Sequence, residues 1–351
     1  MNSFTYDSLP GRVIFGVGCR SRLAEEVHAL GVSRVLLICD AHDPDLIDEF
    51  STYLGNLCVA TFAEIVQHVP RDMAEKVIAL AVEHDVDALV SVGGGSSTGL
   101  AKAVNLTLNL PHVAVATTYA GSELTPIWGM TANGHKQTGR DLRVLPKVVL
   151  YDPELTLALP VAIAGPSAMN AFAHAAEGLY AKGRNPVISL VALEAIRVLA
   201  RHLPRMCAHP DDIDERSQVL YGAYLAGATL AVSGTDLHHK TNHVLGGLFN
   251  LDHGQMNAVI LPYALAYNAP AIEDEYNQIS AILGGSAAGR VYDLARSIGA
   301  PKSLKEIGMD VGGIDEAAAI ISAGSSNSVR PLDIESARTF LEAAYVGERP
   351  E

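Results

Sequence analysis

Basic residues are in short supply. Twenty-five lysines and arginines stand against 39 aspartates and glutamates, for a formal net charge of −14. The chain shows none of the clustered cations that grip a phosphate backbone, so no nucleic-acid partner is expected. A small anionic substrate is still compatible, because the local field around a site matters more than the sum of charges. Cysteine is sparse as well. Cys19, Cys39, Cys58 and Cys207 form no CxxC and no zinc-like spacing, so they read as small buried hydrophobes carrying free thiols. Free thiols fit a reducing cytosol, and MNSFTYDSLP has neither the basic start nor the apolar run of a leader. The expected location is cytoplasmic. Uncharged apolar runs stop short of the ~18 residues that a membrane span needs. The nearest, Val219 to Val232, is Gly- and Ala-rich and reads as a buried helix, so no membrane partner is expected.

What the chain does have is apolar bulk. It runs to 351 residues, 49% hydrophobic and 18% charged. That is enough to bury a large core, and long enough to favour two domains over one. The two halves differ in texture. Up to about residue 155, short β-type runs (Val35 to Cys39, Asp87 to Val92, Val113 to Ala116) alternate with helical stretches. One such stretch is Asp72 to Glu83, with Met73, Val77, Ile78 and Val82 on one face. Strands that are apolar on both faces and alternate with helices imply a parallel sheet covered on both sides. From about residue 156, Ala-rich helical patterns take over: Ser167 to Lys182, Val187 to His202, Ile213 to Ser233 and Val259 to Tyr267. No strand is expected after Tyr151, and Gly-rich breaks fall at Gly284–Gly285 and Gly312–Gly313. The domains expected are therefore 1–155 and 156–351, divided near Asp152 and Pro153.

The clearest local motif is the run from Ser91 to Lys102, in which Gly93, Gly94 and Gly95 join a strand to a helix. Consecutive glycines let backbone N–H groups approach an anion, and a helix N-terminus adds partial positive charge. Ser96, Ser97 and Thr98 are expected to supply cap hydroxyls. The loop reads as a pyrophosphate cradle, although it is neither GxGxxG nor a Walker A sequence. Asp40 closes the strand Val35 to Cys39, where a carboxylate can accept from a ribose 2′-hydroxyl. Together these two features point to a dinucleotide, NADH rather than NADPH.

Histidines carry the second signal. Asn170 and His174 are four apart in a helical pattern, as are His239 and His243. His253 follows ten residues later, after the loop expected to begin at Gly246–Gly247. The acids nearby, Glu177 and Asp252, read as off that face or on the loop. Two chemistries fit. His174, His239 and His253 can hold zinc, or they can serve as neutral donors to a developing oxyanion, with His243 as proton source.

These motifs together resemble the iron-containing alcohol dehydrogenases: the glycine loop, Thr117 to Glu123, the pair Asn170/His174, and His239 to Gly246 with His253–Gly254. The likeness runs from about Tyr6 to Ala344. It implies the dehydroquinate synthase-like fold, α/β plus all-α: a Rossmann-like parallel-sheet dinucleotide domain, then a helical catalytic domain, with the active site in the cleft between them. It also implies a homodimer, and adds Thr117, Thr118 and Ser122 to the cofactor residues. Three departures point to the branch formed by the maleylacetate reductases. Gly99 and Asn170 stand where the family has Asp, and Tyr119 precedes Ala-Gly-Ser-Glu in place of the usual threonine motif. Leu237 to Lys240 and Asn327 to Pro331 point the same way.

That branch implies NADH-dependent reduction of maleylacetate to 3-oxoadipate in aromatic degradation, with NADPH as an alternative donor. Asn170 removes the family's carboxylate ligand, so no metal is expected to be required. Hydride would add to the alkene carbon β to the ketone. The enolate oxygen would then be stabilised by the imidazoles and Tyr119. For the substrate's two carboxylates the candidates are Lys240, Arg330, His238 and His174, with Asn170 also facing substrate. Two other readings stand beside this one: a metal-dependent alcohol or glycerol dehydrogenase that tolerates Asn170, and a catalytically silent dinucleotide sensor.

Overall fold

In this computed structural model the described residues are 4, 6, 8, 9, 11–40, 44–67, 69–132 and 135–351, so part of the N-terminal stretch considered above lies outside them. They form two compact units, residues 9–159 and residues 160–351, the second joined by the described residues up to Ser8. The division falls at Leu159, a few residues past Asp152–Pro153. The Asp152 carboxylate explains the shift. It caps the turn Pro153–Thr156 and accepts from the N–H groups of Gly18 and Arg20, which stitches that turn to the sheet unit.

The first unit runs β1 (Arg12–Phe15), α1 (Leu23–Ala29), β2 (Val35–Cys39), α2 (Pro44–Leu54), β3 (Cys58–Phe62), α3 (Arg71–Glu83), β4 (Ala88–Gly93), α4 (Gly95–Leu108), β5 (His112–Ala116), the hairpin β6 (Ile127–Ala132) and β7 (His135–Arg140), and β8 (Val148–Tyr151). Six strands make one parallel sheet in the order β1-β8-β5-β4-β2-β3. Alternate side chains of each strand go to opposite faces. Val35, Leu37, Val90 and Val92 pack under Leu23, Val27, Phe50 and Leu54 of α1 and α2. Leu36, Ile38 and Leu89 pack under Met73, Val77, Leu100 and Val104 of α3 and α4. Val82, expected on the buried face of α3, is 64% exposed, and Ala74 and Ala81 are buried instead. The apolar stripe is thus turned by one residue and filled with small side chains.

Register places the functional residues. Cys39 pairs with Val92, Gly93 with Ala116, and Ala116 with Tyr151. The C-terminal ends of β2, β4, β5 and β8 are therefore level, which brings Asp40, Gly94, Thr117 and Asp152 to one edge. Ligands of open parallel sheets bind at that edge.

The second unit is helical, with no strand among its described residues: α5 (Val161–Gly178), α6 (Pro186–Ala208), α7 (Ile213–Ser233), α8 (Leu237–Phe249), α9 (His253–Asn268), α10 (Glu273–Leu283), α11 (Ala287–Ser297), α12 (Ile314–Gly324) and α13 (Ile334–Val346). None of the described helices in either unit is long and apolar enough to cross a membrane. Helix α5 packs against α6, α7 and α9. Its last residue, Gly178, lies so close to α7 that a Cβ would sit 2.1 Å from the Thr229 methyl. Gly246 and Gly247, expected to open a loop, lie inside α8, which ends at Asn250 in the left-handed conformation. The reason is packing: a Cβ on Gly246 would come within 3.2 Å of Met256 on α9.

Candidate active site

The glycine loop forms the candidate site of the sheet unit. Gly93 has φ 141°, and a Cβ there would fall 2.3 Å from Ser97 Oγ. A Cβ on Gly94 would fall 2.9 Å from the Thr118 side chain. Both positions therefore need glycine. Helix α4 begins at Gly95 with Gly94 as its N-cap, and no side chain caps it. Ser96, Ser97 and Thr98 sit within the first turn instead of capping it, and Ser97 and Thr98 are buried. The amides of that turn thus have no side-chain acceptor at the cap, the arrangement that suits an anion. A cavity of about 520 Å³ opens there, lined by Asp40, Gly93, Gly94, Gly95, Ser96, Thr117 and Thr118. Anion-binding amides and a strand-end carboxylate at one edge fit a dinucleotide. The cavity also exposes residues with no local motif: Arg20, Glu49 and Glu154. Arg20 pairs with Glu49 at 2.7 Å, with Asp152 at 3.0 Å and with Glu154.

Ser122 does not line the cavity. Its carbonyl and hydroxyl both accept from Lys102 Nζ, which also donates to Thr125 Oγ1 at 3.1 Å and to the Ile127 carbonyl at 2.9 Å. Lys102 has no exposed surface. Burial pulls its ammonium down to about 7, and the nearby Glu123 pulls the other way. Glu123 is itself buried and accepts from Tyr151 Oη at 2.5 Å. Burial pushes that carboxyl above its usual range. Tyr119, between these groups in sequence, is also completely buried.

The helical unit holds the imidazoles. The rings of His174 on α5 and His239 on α8 stack, with centroids 4.6 Å apart and planes 16° apart. Glu177, one turn beyond His174, holds α8 in place. One carboxylate oxygen accepts from the His238 N–H at 2.7 Å and the other from His239 Nδ1 at 2.6 Å. Residues three apart share a helix face, so Glu177 belongs to the cluster and not off it. His238 Nε2 donates to the Asn257 carbonyl at 3.0 Å, and the ring has no exposed surface. It is a buried support and not a partner for a substrate carboxylate. Burial drives His174 and His239 well below the usual imidazole range and His238 down to about 3, with the neighbouring imidazoles adding to the shift. Burial thus favours the neutral form of all three rings. His243 and His253 are exposed and lie close enough to His239 to act on it electrostatically.

The substrate candidates separate. Asn170 is half-buried and its Oδ1 has no hydrogen-bond partner among the described residues. Lys240 is half-buried and donates to Ser328 Oγ at 2.9 Å. Arg330 has a different task. It donates to the Tyr267 carbonyl and lies over the Tyr267 ring, 4.2 Å from its centroid. That is the packing of an arginine at a helix end, and it leaves the substrate role without geometric support. Of the residues that sequence reasoning passed over, Glu177 had the visible signal, its three-residue spacing from His174.

The resemblance implies a metal, and Asn170 stands where its carboxylate ligand would be. Among the described residues, one group of three His, Cys, Asp or Glu side chains brings its ligand atoms within 4.8 Å of one another: Glu177, His238 and His239. Those atoms are hydrogen-bonded, at 2.6 Å between Glu177 and His239 and 3.2 Å between the two imidazoles. Ligands held about 2.1 Å from a tetrahedral ion stand roughly 3.4 Å apart. The group is a hydrogen-bonded cluster and not a metal cage. The other set, Asn170 with His174, His239 and His253, lacks the carboxylate of the family's set, which weakens its hold on a divalent cation.

Two family models match the chain: iron-containing alcohol dehydrogenase over residues 10–153, and the C-terminal part of the Fe-containing alcohol dehydrogenase family over residues 165–345. The chain belongs to the iron-containing alcohol dehydrogenase family. Within it, the chain is 46% identical to the maleylacetate reductase of Sphingobium indicum over 348 residues, 99% of each protein. It is 44% identical to the maleylacetate reductase of Burkholderia cepacia over the whole of both. The crystal structure of maleylacetate reductase from Rhizobium sp. strain MTP-10005 matches with a TM-score of 0.97 at 40% identity, covering 100% of both chains. A 1,3-propanediol oxidoreductase matches at 0.92 with 26% identity, over 97% of this chain and 100% of that one. The expected fold class, a parallel-sheet unit followed by a helical one, is borne out.

Proposed function

We propose that this chain is an NADH-dependent reductase that converts maleylacetate to 3-oxoadipate, in the cytoplasm and without a metal. The observation that carries the reading is Asn170. It stands where the family has a carboxylate ligand, in a chain that is 46% identical to a maleylacetate reductase along its length. NADH, when bound, supplies the hydride. The first-turn amides of α4 take its pyrophosphate, and Asp40 accepts from a ribose hydroxyl. NADPH is the poorer donor, because a 2′-phosphate would meet that carboxylate.

The substrate is a 4-oxo-2-enedioate. Hydride adds to the alkene carbon β to the ketone, and the π electrons move onto the ketone oxygen as an enolate. His174 and His253 hydrogen-bond that oxygen. His243 passes a proton to the carbon next to the ketone, which restores the C=O and leaves a C–C single bond. Lys240 pairs with one substrate carboxylate, and Asn170 donates an amide N–H to substrate where the family has a carboxylate. The expected assembly is a homodimer.

The test is NADH oxidation by the purified protein. One 3-oxoadipate should form per NADH consumed with maleylacetate, and simple alcohols with NAD+ should give little turnover. Activity on alcohols without activity on maleylacetate would establish the alcohol or glycerol dehydrogenase reading. NADH binding with no turnover of any enone or carbonyl compound would leave a sensor.

A further inference from the structure

We propose that Lys102 is a positioning residue for the dinucleotide: it fixes the second wall of the cradle to the same helix that forms the first. The inference rests on the reading of the α4 cavity as the dinucleotide site. The first wall is the N-terminus of α4 at Gly95. The second is the strand-end loop with Thr117 and Thr118, both of which line the cavity. That loop is pinned at its start by the Thr117 N–H, which donates to the Gly93 carbonyl at 3.1 Å. Thr118 also lies directly against Gly94, since a Cβ there would touch its methyl and hydroxyl.

Beyond Thr118 the loop is held by Lys102. All four oxygens around Nζ come from the short stretch Ser122 to Ile127, and none comes from α4 itself. An ammonium has three N–H bonds to share among four acceptors, two of which are carbonyls that cannot donate in return. The contact is therefore saturated and directional. Thr125 extends it, because its hydroxyl accepts from both Lys102 and the Ile127 N–H and donates to the Ser122 carbonyl. Glu123 ties the same turn to β8 through Tyr151. Burying a lysine completely is unfavourable unless its charge is compensated, and a methionine of similar length would fill the space without that penalty. A lysine here makes sense if it sets the gap between the two walls, whose strand ends are already joined by the Thr117–Gly93 hydrogen bond.

The experiment measures NADH affinity by fluorescence titration without substrate, together with thermal stability and steady-state kinetics. Lys102→Met should fold with a melting temperature near or above that of wild type. It should bind NADH at least tenfold more weakly, raise KM for NADH in parallel, and keep most of kcat at saturating NADH. A purely structural lysine would move the melting temperature and leave affinity alone, so a folded Lys102→Met protein with wild-type NADH affinity overturns the proposal. Thr125→Val and Ser122→Ala decide the matter if Lys102→Met does not fold. Each should weaken NADH binding two- to fivefold, Thr125→Val more than Ser122→Ala, and unchanged affinity in both overturns it. Wild-type protein that fails to bind NADH would instead bring down the reading of the cavity, a separate result.

Discussion

In the sheet unit the buried Lys102 donates to four oxygens, while in the helical unit His174 Nδ1, His239 Nε2 and Asn170 Oδ1 are buried with no hydrogen-bond partner among the described residues. The first arrangement holds a shape. Saturated networks in a low dielectric are rigid, and rigidity is what a dinucleotide cradle needs. The second leaves polar atoms open at a cost in stability, as sites that must bond a reacting group do. The difference separates binding from chemistry: the sheet unit should govern affinity for NADH, and the helical unit the rate of the chemical step.

Substitutions can test that division, and the largest effect belongs to His243. His243→Ala should lower kcat by roughly 10²–10⁴, the usual size of an acid–base contribution, and leave the NADH dissociation constant unchanged. A loss of NADH affinity of similar size would break the division. Gly94→Val attacks the other side. Even its Cβ would meet Thr118 at 2.9 Å, so NADH should bind at least tenfold more weakly, about 1.4 kcal/mol. Normal affinity in the folded variant would reduce the glycine run to a simple turn.

Acid should separate the units next. His174, His238 and His239 are held neutral below their ordinary range in the helical unit, against His112, pulled down to about 3, in the sheet unit. Below pH 6.5 the unfolded chain takes up protons that these folded rings refuse. The contribution of these rings to stability is therefore full above pH 6.5 and falls by roughly 1.4 kcal/mol per pH unit for each ring as pH drops towards the folded values. Glu177, raised by burial, offsets part of the loss once the pH approaches its own titration. The single tryptophan, Trp128, reports on the sheet unit, and far-UV circular dichroism reports mainly on the helices. Between pH 6.5 and 5 the circular dichroism midpoint should fall further than the fluorescence midpoint. A larger fall in the fluorescence midpoint would contradict the assignment. The smallest effect concerns Asp40. Asp40→Ala should narrow the preference for NADH over NADPH by a few fold, because a methyl does not repel a 2′-phosphate. Equal kcat/KM ratios before and after would remove its role.

Much of this was legible locally. Strand β2 matches its apolar run residue for residue, because a strand buried on both faces leaves no alternative reading. Helix α7 spans Ile213–Ser233 as its pattern implies. The glycine loop was legible because a run of glycines marks backbone that has no room for side chains, as at Gly93 and Gly94. What local pattern missed depends on distant partners. The Glu177–His239 contact joins residues 62 apart in sequence. Lys102 reads as the tail of the glycine motif until the turn Ser122–Leu124 folds over it. Arg330 looked like a free cation because Tyr267, its partner, gives no signal at a distance of 63 residues. The turned face of α3 has a different cause: alanines can fill a tight interface as well as a valine can, and hydropathy does not rank them.

The central claim is that neutral imidazoles, and not a metal ion, stabilise the developing charge, and chelation tests it most directly. Protein treated with EDTA and shown by elemental analysis to be free of iron and zinc should reduce maleylacetate with nearly unchanged kcat/KM. Asn170→Asp, which restores the missing carboxylate, should bind zinc or iron more tightly than wild type does. Loss of maleylacetate reduction on chelation, recovered when iron or zinc is added back to the wild-type chain, would contradict the account.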